Sequence, residues 1–308
     1  MDNWIFMSLF AASAWALSCV LDVCFVSKGI YKTPWDGPTI AGLFCLLPVV
    51  FLWDGVNFSG PTGVYLVGIG SGFAFLAHVY YYFKALFAVN DAVNIEIANN
   101  LCVLLVPLLA FLFLGERLDI LHYMSIGVGA LAILVLTGSQ TARLPPRVLF
   151  YLGVSVFSIS MMMVMQAWVL KHVNYATAVW LFSFAAFMIV ATSLVVKRQR
   201  AARLGTMIQK FGWIFVGVQL LELSGTLGSQ RATDIGPSVS LVALVECSVP
   251  VFVMLFSWII TEAIQRTTSW NSPSLVSALS SQISYAPSKL TALMLILFAI
   301  SAAPFGPG

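Results

Sequence analysis

The sequence predicts an all-α integral membrane protein, with about ten transmembrane helices set as two inverted five-helix repeats. Three observations predict it. Of 308 residues, 60% are hydrophobic and only 9% charged, and the mean hydropathy is +0.96; a soluble domain carries roughly 25% charge. Apolar runs recur along the chain at about 4–26, 37–53, 62–83, 90–114, 118–137, 148–170, 176–196, 211–231, 235–260 and 289–303, where a crossing takes roughly 20 helical residues. The strongest hydrophilic break, Gly138–Arg147, divides these spans five and five, and its Pro145-Pro146 pair cannot continue a helix. An odd number of spans per half forces the halves, 1–140 and 145–308, into opposite orientations, which is the inverted-repeat plan of many transporters.

The first span follows Met1-Asp2-Asn3 without a basic flank, so it reads as a span and not as a signal peptide. Lys28 and Lys32 lie between spans one and two, Arg143 and Arg147 between five and six, and Lys197, Arg198, Arg200, Arg203 and Lys210 between seven and eight. The alternate loops offer little beyond Arg117 and Lys171. The positive-inside rule then places the odd-numbered loops in the cytoplasm and both termini outside. A net charge of +3 is too small to suggest nucleic acid. The five cysteines all fall in spans without metal spacing, as buried small apolar residues do. The third span carries Gly68-Ile-Gly70-Ser71-Gly72, whose small residues allow close helix contact. The second span is short, and the last barely crosses a bilayer.

The fourth and fifth spans are joined by a very short charged turn in FLFLGERLDILHYMSIGVGALAILVL, residues 111–136. So short a turn makes the two helices an antiparallel hairpin across the bilayer. Gly115 ends the first helix, where orphan carbonyls need a residue that tolerates unusual backbone angles. Glu116 and Arg117 read as structural, capping the helix end or pairing within the turn. This stretch resembles the LGE-type hairpin that closes each repeat of the EamA family, in the drug/metabolite transporter superfamily. The resemblance is closest over residues 65–137. Glu262, in WIITEAIQ, stands where a second such turn would fall, and a Ser-rich stretch to Ser288 then departs from the family pattern. The resemblance implies two inverted five-helix repeats, with spans one to four and six to nine around a central site, and alternating-access transport of small organic solutes.

Polar side chains inside the spans carry the functional reading, because charge in hydrocarbon persists where it faces a cavity or a partner. Glu96, Asn99, Asn100 and Pro107 share one face of the fourth span. Gln219, Glu222 and Ser229 share a face of the eighth. Glu246 and Pro250 lie one turn apart in the ninth. Ser71, Phe75, His78 and Tyr82 line up on the third, and Trp15, Ser18 and Asp22 on the first. Pro107 and Pro250 are expected to break their helices and free carbonyls beside these stripes. The simplest common destination is one water-accessible cavity. Glu96, Glu222 and Glu246 are the candidate coupling groups, since carboxyls at this depth can take up and release a proton. Glu96 with its asparagines has a structural alternative, as glue between helices, and His78 a bland one, as a hydrogen-bonded buried imidazole. Asp22 and Asp91 sit near span ends and read as snorkelling to water. Lys84 and Arg231 read as pairing with Asp91 and Asp234.

The expected function is a secondary transporter, an exporter of small organic metabolites such as amino acids or organic cations, with the proton as candidate coupling ion. Acids at mid-span, with Trp15, Phe75 and Tyr82, favour a substrate bearing an amine. No nucleophile–base pair, metal cluster or cofactor motif points to an enzyme. The alternative is a non-transporting membrane subunit or sensor that keeps the fold. Short loops and no organelle-targeting segment suggest a bacterial inner membrane.

Overall fold

The computed structural model describes residues 3–89, 95, 98–140, 144–266, 294–296 and 298–299. Among the described residues the chain is helical, without strand. Its helices are α1 (Asn3–Ser27), α2 (Asp36–Phe44), α3 (Leu46–Phe51), α4 (Thr62–Val89), α5 (Cys102–Leu114), α6 (Ile120–Gln140), α7 (Pro146–Leu170), α8 (Tyr175–Val196), α9 (Arg198–Ile235), α10 (Val239–Glu246) and α11 (Val249–Arg266). Six stretches are long and apolar enough to cross a membrane: α1, α4, α7, α8, α9, and α10 with the adjoining part of α11. Large apolar side chains face outward on them and their neighbours, among them Phe51 at 78% exposure and Trp213 at 90%. Such an outer surface suits lipid and not water, so the chain is that of an integral membrane protein.

The hairpin turn is built as its composition predicts, with one addition. Gly115 takes a left-handed φ of 64°, and the Glu116 N–H donates to the Ala110 carbonyl at 3.2 Å. The Asp119 carboxylate accepts the His122 N–H at 2.9 Å and so starts α6. Glu116 does not pair within the turn. Its carboxylate accepts from the Ser238 hydroxyl at 2.8 Å and lies 3.4 Å from the Ser240 N–H. Ser238 in turn caps α10 by accepting the Leu241 N–H at 3.1 Å. An acid here also complements the positive end of the helix dipole. The turn of one half therefore caps a helix of the other. Arg117 is exposed.

α1 packs along α9, α10 and α11, and α4 packs along α7 and α8. α5 meets α7 and α10, while α2 meets α8 and α9. Small residues set the closest approaches. A Cβ at Gly225 would come within 2.7 Å of the Trp15 ring, and one at Gly72 within 2.8 Å of the Ala185 Cβ. Of the third-span glycines, Gly68 and Gly72 thus serve the α4–α8 contact, and Gly70 faces Met165 of α7.

Four expectations need correction. The span expected at 37–53 is two short helices and a 3-10 turn at Trp53–Gly55, because Pro48 leaves the Phe44 carbonyl without its donor and the helix parts at Cys45. The fourth span does not break at Pro107, which lies inside α5; it breaks at Asn100-Leu101, where bonds tighten to Leu101 N–H on Ala98 and Val103 N–H on Asn100. The ninth span breaks at Cys247-Ser248, just before Pro250, which occupies the first turn of α11 where its missing N–H costs little. The segment expected to link spans seven and eight is helical: α9 begins at Arg198 and bends at Phe211 (φ −134°, ψ 15°). The tenth span lies mainly outside the described residues, as do Asp91 and Arg143. Arg231 pairs with Asp234, while Lys84 lies 4.9 Å from the ring centres of Tyr80 and Tyr151 and 5.3 Å from that of Tyr81.

Gly72→Ala is expected to lower the unfolding temperature of the detergent-solubilised protein, by a loss of roughly 1–3 kcal/mol from overpacking. Gly63→Ala, with nothing within 4 Å of the new Cβ, is the control and leaves it unchanged or raised.

Candidate functional site

A cavity of about 120 Å³ lies where the two interrupted spans meet. α1 contributes Trp15, Ser18, Cys19 and Asp22, which share one helical face. α4 contributes Phe75, His78, Val79, Tyr82 and Phe83. Asn99, Asn100 and Cys102 come from the first break, Glu246 and Val249 from the second. α9 adds Glu222 and Thr226, and α7 adds Ile159, Met162 and Met163.

The walls are apolar and aromatic, and the charge is of one sign. Asp22, Glu222 and Glu246 line the cavity, and among the described residues no Lys or Arg does. Asp22 and Glu246 are 5% and 6% exposed. Glu246 Oε1 is buried with no hydrogen-bond partner among the described residues. A buried carboxylate oxygen in that state is costly unless something that enters the cavity meets it.

The walls are held by neighbours. Trp15 Nε1 donates to Thr226 Oγ1 at 3.4 Å, and the Thr226 hydroxyl donates to the Glu222 carbonyl at 3.0 Å. The Ser155 hydroxyl donates to Asn99 Oδ1 at 3.1 Å and lies 2.9 Å from His78 Nδ1. The Ser155 carbonyl oxygen, 3.2 Å from His78 Nδ1, can only accept, so His78 donates from Nδ1. His78 is thus both a wall residue and a hydrogen-bonded buried histidine. Gln166 of α7 donates to Ser71 on the same face of α4.

The two breaks touch. Cys247 Sγ lies 3.9 Å from the Asn100 carbonyl oxygen, so the turn of one span sits against that of the other, while the thiol's nearer acceptor is the Ala243 carbonyl of its own helix at 3.2 Å. From Phe83 of the cavity wall an aromatic cluster extends away. Phe83 meets Tyr31 edge-on at 5.4 Å; Tyr31 also stacks on Phe215 at 5.8 Å and meets Phe25 at 5.5 Å. Tyr31 is 1% exposed.

Of the residues named from sequence, Trp15, His78, Tyr82, Asn99, Asn100, Glu222 and Glu246 come together in this one cavity. Gln219 lines a smaller adjoining pocket that shares Phe75, Glu222 and Thr226 with it. Glu96 lies outside the described residues. Asp22 does not snorkel; it is buried in the cavity wall, because α9, α10 and α11 pack along α1 and cover it. Cys19 and Cys102 are wall residues as well, one step from Ser18 and two from Asn100. Thr226 stands one turn beyond Glu222 and was readable from that spacing. Ser155, Met162 and Met163 gave no signal in a span of ordinary apolar and hydroxyl residues. Among the described residues, no three His, Cys, Asp or Glu side chains converge as metal ligands would.

No protein-family model and no curated protein matches the chain. A solved crystal structure of a protein matches it at a TM-score of 0.61 and 19% identity, over 96% of this chain and 96% of the other. The likeness covers the fold from end to end and says nothing of its chemistry.

None of the five cysteines is in a disulfide. A small cationic methanethiosulfonate is expected to modify Cys19 and Cys102 in the purified native protein and to spare buried Cys24, Cys45 and Cys247, as peptide mass mapping would read. Equal modification of all five, or of none, contradicts a solvent-accessible acidic cavity.

Proposed function

We propose that the chain is a secondary-active transporter of the EamA type, and that its cargo is a small organic solute carrying an amine. One observation carries the reading: three carboxylic side chains and several aromatic rings line one cavity that, among the described residues, no Lys or Arg enters. A cationic amine would be met there by charge pairing and by ring faces, of which Trp15 is the strongest cation–π partner. An anionic cargo would meet three like charges in a desolvated site, which is strongly unfavourable.

Support for two inverted five-helix repeats comes from the packing. Exchange span one with six, two with seven, three with eight and four with nine. The contact of α1 with α9 then becomes that of α7 with α4. The contact of α5 with α7 becomes that of α10–α11 with α1, and α4 with α8 becomes α9 with α2. Each partner contact is present. The spacing from the break to the acid that follows it, Asn100 to Glu116 and Cys247 to Glu262, agrees to within one residue, with Glu116 in a turn and Glu262 inside α11. In this reading the aromatic cluster of Phe25, Tyr31, Phe83 and Phe215 is the closed gate of one side, and the cavity opens alternately to either face. A proton exchanging on the wall carboxylates would drive amine movement in the opposite direction.

The test is flux in proteoliposomes carrying Asp22→Asn, Glu222→Gln or Glu246→Gln, with each variant first shown to be folded and inserted. Amine flux is expected to fall about tenfold or more for at least one, as loss of a charge-assisted contact predicts, while exposed Glu262→Gln keeps wild-type flux. Wild-type flux in all three cavity variants overturns the reading.

A further inference from the structure

A second concavity lies away from the acidic cavity and has the opposite chemistry. It is a surface depression of about 590 Å³ between the loop after α1 and the start of α9. Its lining includes Thr33, Trp35, Lys197, Arg198, Arg200 and Arg203 and, among the described residues, no acid. Four cations thus crowd one turn and a half of chain, at the wrong end of a helix. The first turn of α9 has no acidic residue, and its N-cap, Lys197, makes no side-chain cap. The leading N–H groups and the dipole of a helix both favour negative charge at this end. Placing Arg198 and Arg200 there destabilises the helix unless an anion is added.

The neighbouring residues hold the cations in place and leave them unneutralised. The Arg200 guanidinium lies 4.1 Å from the centre of the Trp35 ring, which rests on Tyr80 with ring centres 4.2 Å apart. Arg200 also donates to the Ser193 hydroxyl. Arg203 Nε is buried without a hydrogen-bond partner. The one acid of the facing loop, Asp36, is turned into its own turn. It accepts the Lys32 N–H at 2.7 Å, the Thr33 N–H at 2.8 Å and the Thr33 hydroxyl at 2.9 Å. Loop closure by Asp36 fixes Thr33 and Trp35 against the basic turn and takes the acid out of play.

The height of the site on the molecule points to its occupant. Val195 and Val196, directly before Lys197, are 78% and 73% exposed, as lipid-facing residues are. The basic turn therefore begins where the apolar belt ends, at the level of phospholipid headgroups, and Trp35 is of the type that gathers there. We propose that this depression is a phosphate-binding site that holds the headgroup of an anionic phospholipid. Arg200 and Arg203 ligate the phosphate with the help of the first-turn N–H groups of α9. The bend at Phe211 separates this anchored turn from the part of α9 that carries Glu222.

The test is a binding titration of the full chain in neutral detergent, read by unfolding temperature and by native mass spectrometry. The probes are short-chain phosphatidylglycerol, short-chain phosphatidylcholine and inorganic phosphate. Phosphatidylglycerol is expected to stabilise the wild type and phosphatidylcholine not to. Affinity should fall with salt and roughly ten- to a hundredfold in Arg203→Gln and Arg200→Gln. Lys171→Gln, at the other end of α8, keeps it. Stabilisation by inorganic phosphate to the same extent, lost in the same variants, supports the phosphate site and names a soluble occupant in place of the lipid. Should Arg200→Gln unfold for want of its stack on Trp35, Arg203→Gln and the salt dependence of the wild type still decide. Equal response to both lipids, or an affinity indifferent to Arg203→Gln, overturns the proposal.

Discussion

Everything about the centre of this protein follows from two helices that stop and restart inside it. A broken helix uncovers carbonyls and N–H groups, and hydrocarbon offers them nothing. They must be buried in protein or face a polar cavity. Here the two breaks are set against each other, with Cys247 Sγ 3.9 Å from the Asn100 carbonyl, and residues of both line one shared cavity. The polar side chains gather at the same place, because it is where the membrane interior is no longer hydrocarbon. Asn99 and Asn100 sit at one break and Glu246 at the other, and Glu222 and Asp22 face them from the helices that pack around.

The same constraint links the turn to the cavity. Glu116 lies far along the chain from Glu246, yet its carboxylate caps the short helix that delivers Glu246 to the wall. α10 is only eight residues long, so an unsatisfied N-terminus would leave it few internal bonds. The Ser238 hydroxyl and the Glu116 carboxylate supply what it lacks. A turn that marks the fold in sequence is therefore tied physically to the position of the buried acid in the other half.

The residue pattern made some of this legible and hid the rest. Helical spacing sorted Trp15, His78, Tyr82, Asn99, Asn100, Glu222 and Glu246 onto inward faces, since a polar stripe on an apolar helix has one tolerable direction. Glycines at 68, 70 and 72 announced a close helix contact without naming its partner. Proline misled at Pro107, which α5 absorbs, because the break depends on Asn100 and on tightened bonds upstream of it. Asp22 was misread because nearness to a span end was taken for access to water, whereas the helices packed along α1 bury it. Ser155 was invisible: a serine in a helix is ordinary, and only the fold brings it between His78 and Asn99. The basic stretch 197–210 read as a loop because charge was taken for a connection, while its alanines and leucine are good helix formers.

The measurement that bears most directly on the central claim, an acidic cavity that carries amines, is substrate-induced proton movement. Wild-type protein would be reconstituted in liposomes holding a pH-sensitive dye, and pooled amines, sugars and organic anions added in turn. A pH change with the amine pool alone is the predicted result, and it would identify the coupling ion together with the chemical class. A pH change with the anion pool, or silence with amines joined to absent radiolabelled amine flux from folded protein, would contradict it.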